Sequence, residues 1–341
     1  MSVPRSLRAS RPRRARRTIG VRTLNRVRDV VTQLALMQSE NGAGTLELGG
    51  EQRLEVSNLD KVFFPKHGYT KGDLIAYYAT VSPMLLPAMA DRPLVLKRFP
   101  HGVTGESFYQ QRAPDDPPAG VRVEPVSDEG LKTQHRLIGG DLTTLLYVAQ
   151  LGAISIDPWH SRVQSIGDAD YTIVDLDPGP RASFKRVIDA ALWVREELDR
   201  LGLHGVPKTS GASGMHIVLP LTPGTSNETA RLLAELVATR VAERRPRETT
   251  VTRWVQSRPV TSVYVDYLQN IRGKTVASVY SVRATTDATV SAPLRWDELA
   301  GGLDPRDFTM LTMGARLREV GDLWGDGMRH ENDPRRLLGD A

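Results

Sequence analysis

The sequence predicts a mixed α+β fold. Segments with apolar residues at helical spacing and segments with strand-like alternation follow one another without the regular β-α-β rhythm of a parallel sheet. No internal repeat is present. The 341 residues are 40% hydrophobic, enough for an ample core in one large domain or two smaller ones.

The ordered chain is expected to begin near Thr45. Residues 1–28 hold ten arginines and no acid. A segment with so few apolar residues cannot bury enough surface to order itself, so residues 1–44 are expected to form a disordered Arg-rich extension. It reads as a DNA-attracting arm, or equally as an extended or mis-assigned start; a transit peptide is a third reading. Residues 41–58 then read as a Gly-bounded β-hairpin. Thr70 is a good N-cap for a helix over 71–80, with Asp73 at the capping-box position. Pro83 and Pro87 are expected to break or restart that helix. Residues 93–100 form a strand, 113–120 a loop, 141–152 a buried helix and 153–159 a strand.

The stretch YTIVDLDPGP (171–180) is a strand ending in two carboxylates and a tight turn. Ser183 caps a long helix whose positions Phe184, Val187, Ile188, Ala191, Leu192 and Leu198 follow helical spacing, interrupted at Arg195 and Glu196. Gly202 stops it. Residues 215–221 are a strand and 227–244 a helix. Residues 260–268 and 274–284 are expected to pair as a hairpin around QNIRG.

Composition closes several routes. The chain has no cysteine, which excludes disulfides and cysteine-ligated zinc and fits an intracellular location. The longest weakly polar run, residues 142–154, is too short to span a bilayer. No apolar h-region follows the basic start. The net charge of +5 is carried by the N-terminal arginines; residues 29–341 hold 35 basic against 40 acidic residues. Whole-chain charge is therefore no argument for nucleic-acid binding, and only a local basic patch would be.

Strand side chains alternate faces, so Tyr171, Ile173, Asp175 and Asp177 share one face while Thr172, Val174 and Leu176 share the other. Two carboxylates held that close raise one another's pKa unless a cation lies between them. Alone, the pair reads as a solvated turn or as a metal site. Asp266 adds a third acid in an apolar strand, where an unpaired carboxylate costs roughly several kcal/mol and needs an arginine or a metal. Between these strands, KTSGASG (208–214) offers backbone N–H groups and hydroxyls for an anion. It leads into a strand whose His216 lies opposite the core face of Met215, Ile217, Leu219 and Leu221. A hydrogen-bonded, half-buried histidine is the plain alternative. The loop is not a Walker A motif, and GKT at 273–275 lacks the required first glycine.

Two enzyme classes compete. An Asp-dependent phosphatase of haloacid-dehalogenase type would use IVDLD with GDLWGD (321–326), but leaves Asp266 and the KTSGASG–His216 strand without work. A nucleotidyltransferase with two metals uses every feature, because three carboxylates can hold the ions against a triphosphate.

The order of DLD, then SG with a strand histidine, then a strand aspartate resembles the archaeo-eukaryotic primase superfamily. Seven collinear stretches narrow it: SNLDKVFFPKHGYTKGDLIAYY, RPLVLKRFPHGVTGESFYQ, DPWHSR, YTIVDLDPG, KTSGASGMH, VDYLQNIRGKT and YSVRA. Together they resemble the polymerase domain of bacterial ATP-dependent DNA ligase D over residues 50–325. The resemblance implies a primase-polymerase fold, two β-sheets with flanking helices and an RRM-like catalytic centre, over residues 45–328, with 329–341 a C-terminal tail. It implies template-directed addition of NTPs or dNTPs to gapped or broken DNA, in end joining or excision repair, with two Mn²⁺ or Mg²⁺ ions. Asp175, Asp177 and Asp266 would hold the metals. Ser210 and His216 would contact the nucleotide, with Lys97, Gln269 and Arg283 at its phosphates and sugar and Phe108 and Tyr109 at its base or ribose. Lys61 and Lys71 would grip a downstream 5′-phosphate. Ku and a separate ligase are implied partners of a monomer in the bacterial cytoplasm, at the nucleoid and off the membrane. No K-x-D-G is present, so the resemblance points to a stand-alone polymerase. The sequence departs from the family at Asp157, where a histidine near the nucleotide is usual, and at Ser213, where a lysine is common. If these departures signal decay, a non-catalytic DNA-end binder is the alternative; without the family, Lys97, Phe108, Tyr109 and Arg283 read as ordinary core or solvated residues.

Overall fold

The computed structural model describes residues 20–127 and 133–339. Residues 1–19 of the Arg-rich segment lie outside that range. From Val21 to Glu40 the chain is a helix, α1, which corrects the expectation of disorder to residue 44. Its apolar positions Val30, Leu34 and Met37 recur at helical spacing and turn inward, with Val30 and Leu34 fully buried. The average composition hid this stripe. Gln33 adds a two-way amide clamp, donating to the Glu47 carbonyl at 3.1 Å and accepting from the Glu47 N–H at 2.8 Å.

The expected hairpin follows as β1 (Gly44–Glu47) and β2 (Arg53–Val56), antiparallel. A small ribbon, β3 (Val62–Phe64) with β4 (Tyr69–Thr70), leads into α2 (Lys71–Met89). Thr70 caps α2 in the expected capping box with Asp73. The helix runs through Pro83 and Pro87 instead of breaking. Pro83 cannot donate to the Ala79 carbonyl four residues back. The Ser82 hydroxyl donates to that carbonyl instead, at 2.8 Å. Burial of Leu74, Tyr78, Val81, Leu85 and Met89 holds the helix in one piece.

Strands β5 (Leu94–Arg98) and β6 (Phe108–Gln110) pair, and β7 (Val123–Val126) pairs with β8 (Gln134–Leu137). The buried helix α3 (Leu142–Gln150), capped by Asp141, leads to β9 (Ala153–Pro158) on the other edge of β5. The main sheet then forms from β10 (Tyr171–Pro178), β11 (Val206–Thr209), β12 (Met215–Pro220), β13 (Thr249–Thr250) and β14 (Val263–Asp266), in the order β11-β12-β10-β14-β13. Helices α4 (Phe184–Leu201) and α5 (Asn227–Arg244) pack against β10. Ser183 caps α4, and Gly202 ends it in the left-handed conformation, as the sequence predicts. The α+β expectation stands: a five-stranded and a three-stranded sheet carry the fold, with three two-stranded ribbons beside them among the described residues.

Residues 274–284 do not pair with β14. Both edges of β14 are taken, by β10 and β13. The segment instead ties the two larger sheets together. Ser278 N–H donates to the Ile156 carbonyl on β9 at 2.9 Å, and Ala277 O accepts from Lys208 Nζ on β11 at 2.9 Å. The expected boundary at 328 is also crossed. Asn332 is buried and donates to the carbonyls of His204 and Pro220, while its own carbonyl accepts from the His204 N–H.

Leu34→Ala tests the placement of α1. Emptying a fully buried leucine site costs about 2–5 kcal/mol, whereas Leu36→Ala, at a position 58% exposed, costs little. Urea denaturation of the two variants separates an integral helix from a loose arm, for which both substitutions are silent.

Candidate active site

Register builds the site. Directly paired residues on adjacent strands share a face. Lys208 on β11 lies opposite His216 on β12, His216 opposite Asp175 on β10, and Asp175 opposite Asp266 on β14. One transverse row thus crosses four strands. Asp177 sits one step along β10 on the same face, opposite Tyr264. Ligand oxygens of Asp175, Asp177 and Asp266 all lie within 4.8 Å of one another.

The three acids differ in surroundings. Asp266 is buried and well bonded: Oδ1 accepts from Leu268 N–H at 2.7 Å and Tyr264 Oη at 3.1 Å, and Oδ2 from Gln269 Nε2 at 3.0 Å. Asp175 is 7% exposed, and its Oδ1 has no hydrogen-bond partner. Burial, then repulsion from Asp177 and Asp266, raises the Asp175 pKa well above the ordinary carboxylate range. Asp177 is exposed at the mouth; desolvation and then Asp266 raise its pKa as well. A buried carboxylate oxygen without a donor, beside two more acids, is the donor set of a hard cation. The residues present fit a divalent metal.

The nucleotide-side candidates converge here. Ser210 turns its hydroxyl back into the loop, accepting from Ala212 N–H and Gly214 N–H at 3.1 Å each. Two glycines let the loop lie close. Gly211 adopts φ +74°, and a Cβ at Gly214 would stand 2.4 Å from the Leu176 carbonyl oxygen. Arg283 contributes charge near Asp175, His216 and Asp157. Gln269 is spent on Asp266, so the structure puts it at the acid cluster.

The second sheet brings a charged row of its own near Lys208 and Arg283. Lys97 on β5 pairs with Tyr109 on β6 and Ser155 on β9, while Val95 pairs with Asp157. Alternation puts Lys97, Tyr109, Ser155 and Asp157 on one face, and the Lys97 ammonium lies 5.5 Å from the Tyr109 ring centre. Asp157 Oδ2 accepts from Ser155 Oγ at 2.5 Å, and its buried Oδ1 has no partner. Burial raises the Asp157 pKa, and Arg283, Lys208 and Lys97 oppose that. Phe108 points the other way, stacked on Arg98 at 5.2 Å. The adjacent pair Phe108 and Tyr109 is therefore split between two faces of one strand. On the Phe108 face Arg98 extends toward Lys71, and the Lys71 N–H bonds the Lys61 carbonyl at 2.8 Å.

Two participants escaped the sequence reading. Lys208 opens the KTSGASG stretch, whose pattern reads as a loop, yet it is a strand residue, 1% exposed. Arg258 packs 3.4 Å over the Tyr264 ring and is a positive charge beside Asp177. Tyr264 itself was legible, since it sits two residues before Asp266 and so shares its face.

A main sheet that gathers three carboxylates on one face, with a second, three-stranded sheet beside it, is an architecture of the primase-polymerase class. The chain belongs to the LigD primase-polymerase domain family, whose model matches residues 70–324. It is 33% identical over 282 residues to the bifunctional non-homologous end joining protein LigD of Bacillus subtilis, covering 82% of this chain and 45% of that protein. It is 31% identical over 276 residues to the multifunctional LigD of Mycolicibacterium smegmatis, covering 80% of this chain and 36% of that protein. The chain thus spans less than half the length of these curated relatives. The polymerase domain of Mycobacterium tuberculosis ligase D, solved in complex with DNA, superposes with a TM-score of 0.75 at 31% identity, covering 83% of this chain and all of that one. Among the described residues no helix is long and apolar enough to cross a membrane.

Asp175→Asn relieves the repulsion and removes the cation's anchor. In the absence of divalent metal the variant melts above the parent. Adding Mn²⁺ raises the parent's melting temperature and leaves the variant's unchanged. Equal Mn²⁺ shifts in the two proteins contradict the assignment of Asp175 as a ligand.

Proposed function

We propose that this chain extends a DNA 3′ end by template-directed nucleotide addition, filling short gaps or ends during end joining or excision repair. The observation that carries this reading is the cluster of Asp175, Asp177 and Asp266 on one face of the main sheet, with the Arg283 and Lys208 charges felt both there and at Asp157 of the second sheet. The 3′-hydroxyl attacks the α-phosphate, the bond to the β-phosphate breaks, and pyrophosphate leaves. The three aspartates would hold two Mn²⁺ or Mg²⁺ ions; such ions lower the pKa of the attacking hydroxyl and stabilise charge on the triphosphate. Arg283 and Lys97 supply fixed positive charge for the phosphates. His216 and the Ser210 loop shape the phosphate subsite. Tyr109 lies where a ribose or base would pack. Ku and a separate ligase are the proposed partners, on family grounds. The experiment that tests the reading is primer extension on a one-nucleotide gap with Mn²⁺ or Mg²⁺. Asp175→Ala is expected to lower extension by about 100-fold or more, as for loss of a group acting on transition-state charge. A DNA-end binder without catalysis shows no extension with either protein.

The phosphatase reading is not favoured. Asp322, one of the two acids in its GDLWGD stretch, accepts from the Gly325 N–H at 3.0 Å and the Tyr280 hydroxyl at 2.9 Å, a helix cap and a structural bond.

Asp157 supports a proposal about the sugar. Its free Oδ1 is an acceptor on the nucleotide side, and a ribose 2′-hydroxyl is a donor that deoxyribose lacks. Asp157→Ala is expected to cut the preference for ATP over dATP by about tenfold, the worth of one hydrogen bond. Asp157→His is expected to remain active. Comparing kcat/KM for ATP and dATP decides it, and an unchanged ratio in Asp157→Ala removes the residue from sugar recognition.

Lys61 and Lys71 are proposed to bind the 5′-phosphate of the downstream strand. Lys71 is buried at the start of α2, where the helix terminus also favours an anion. Its ammonium donates to the Ser57 carbonyl at 2.9 Å, and Lys61 Nζ lies 3.1 Å from His101 Nδ1. Burial, followed by Lys61 and Arg98, pushes the Lys71 pKa down to about 8. Lys71 is charged below that value and neutral above it. A gapped duplex with a 5′-phosphate should therefore bind about 1–3 kcal/mol more tightly than one with a 5′-hydroxyl. The advantage should fade as the pH rises past about 8 and shrink in Lys61→Ala and Lys71→Ala. Equal affinities for the two duplexes at neutral pH leave only nonspecific binding.

A further inference from the structure

Lys208 lies inside the core, where burial and then Arg283 push its pKa down to about 7; below that pH it is an ammonium whose hydrogen bonds can be counted. Its ammonium has three protons. It has three partners: the Ala277 carbonyl at 2.9 Å, Ser291 Oγ at 2.6 Å and His216 Nδ1 at 2.7 Å. The carbonyl can only accept. The Ser291 hydroxyl spends its single proton on the Thr209 carbonyl at 2.7 Å, so toward Lys208 it also accepts. The third ammonium proton is left for the imidazole. A ring nitrogen that accepts carries no proton, and an ammonium 2.7 Å away leaves no room for one. The ring proton must therefore sit on Nε2.

Nε2 is the nitrogen that faces the carboxylates. It lies 3.4 Å from Asp175 Oδ1, too far for a good hydrogen bond, and that oxygen has no other partner. The Nε2–H group is thus aimed into the site and uncommitted. Phosphate oxygens only accept. A ring with its proton on Nε2 attracts them, whereas a ring with its proton on Nδ1 presents a lone pair and repels them. The tautomer decides the sign of the contact.

We propose that Lys208 is a positioning residue that fixes His216 as the Nε2–H tautomer, so that the ring enters the site as a hydrogen-bond donor to a phosphate oxygen of the incoming nucleotide. The phosphate contact rests on the nucleotide-transfer reading; the tautomer does not. Lys208 acts from behind the ring. In the row across the strands His216 stands between it and Asp175, so its hydrogen bonds reach the site only through the imidazole, although its charge is felt at Asp175 and Asp157.

The ring ¹⁵N shifts of His216 test this in the metal-free, nucleotide-free protein, at about pH 6, below the depressed Lys208 pKa of about 7. The parent should show Nε2–H alone. Lys208→Met keeps the length of the side chain and removes the donor; it should show the Nδ1–H form or a mixture of the two. Its KM for ATP in gap extension should rise about tenfold with a smaller change in kcat, the pattern of a lost binding contact. Lys208→Arg, which retains a donor, should recover part of the KM. A parent ring protonated on Nδ1 overturns the proposal outright, and this reading needs no variant to fold. Unchanged tautomer and unchanged KM in Lys208→Met overturn it equally. If the parent protein fails to extend a primer at all, the nucleotide-transfer reading falls, and the ¹⁵N shifts still judge the tautomer.

Discussion

Repulsion among three carboxylates is the constraint on which the rest depends. Asp175, Asp177 and Asp266 are brought within 4.8 Å of one another by strand register, not by a flexible loop. The sheet cannot relax them apart without breaking the pairing of β10 with β14. Burial makes the problem worse for Asp175, whose Oδ1 lacks a donor. Polar neighbours relieve Asp266, and Arg258 stands beside Asp177. What remains is a demand for a cation, written into the hydrogen-bond register of the main sheet.

The second sheet divides the rest of the work by strand alternation. On one face of the sheet, Lys97 of β5 and Tyr109 of β6 stand with Asp157 of β9, which feels the Lys208 and Arg283 charges. On the other, Arg98 and Phe108 look toward Lys71 and Lys61. A nucleotide site and a DNA-phosphate site can thus share one thin ribbon with side chains that never mix. The segment 274–284 fixes how the two sheets face each other, by bonding β9 on one side and Lys208 of β11 on the other.

Much of this was legible in the sequence wherever one local rule governed. Alternation placed Asp175 with Asp177, and burial cost pointed to Asp266. Thr70, Ser183 and Gly202 announced their helix ends through side-chain chemistry and backbone freedom. The misreadings came where a distant group overruled the local rule. Ser82 rescues the carbonyl that Pro83 leaves bare, so α2 does not break. The edges of β14 were claimed by β10 and β13, so the local hairpin could not form. In α1 the arginines dominated the composition, although Val30, Leu34 and Met37 carried the signal. Lys208 is the hardest case, since lysine belongs on surfaces by default, and only the three acceptors gathered around it from β12 and residues 277 and 291 reverse that.

The same charges bear on the order of loading. Asp157, Asp175, Asp177 and Asp266 face Lys97, Lys208 and Arg283, while the His216 ring is kept neutral by burial and by Lys208. Acid and base nearly balance. One divalent cation answers the carboxylates, but a second without a triphosphate would leave the cleft strongly positive, and a triphosphate alone would leave it strongly negative. Neither excess is tolerated well where burial lowers the dielectric. Cations and triphosphate carry opposite charge of similar size, so arriving together they leave the balance nearly undisturbed. Each should therefore raise the affinity for the other by the same factor, because binding free energies are reciprocal. Strand register would thus reach past the placement of three acids and couple a cation to a triphosphate.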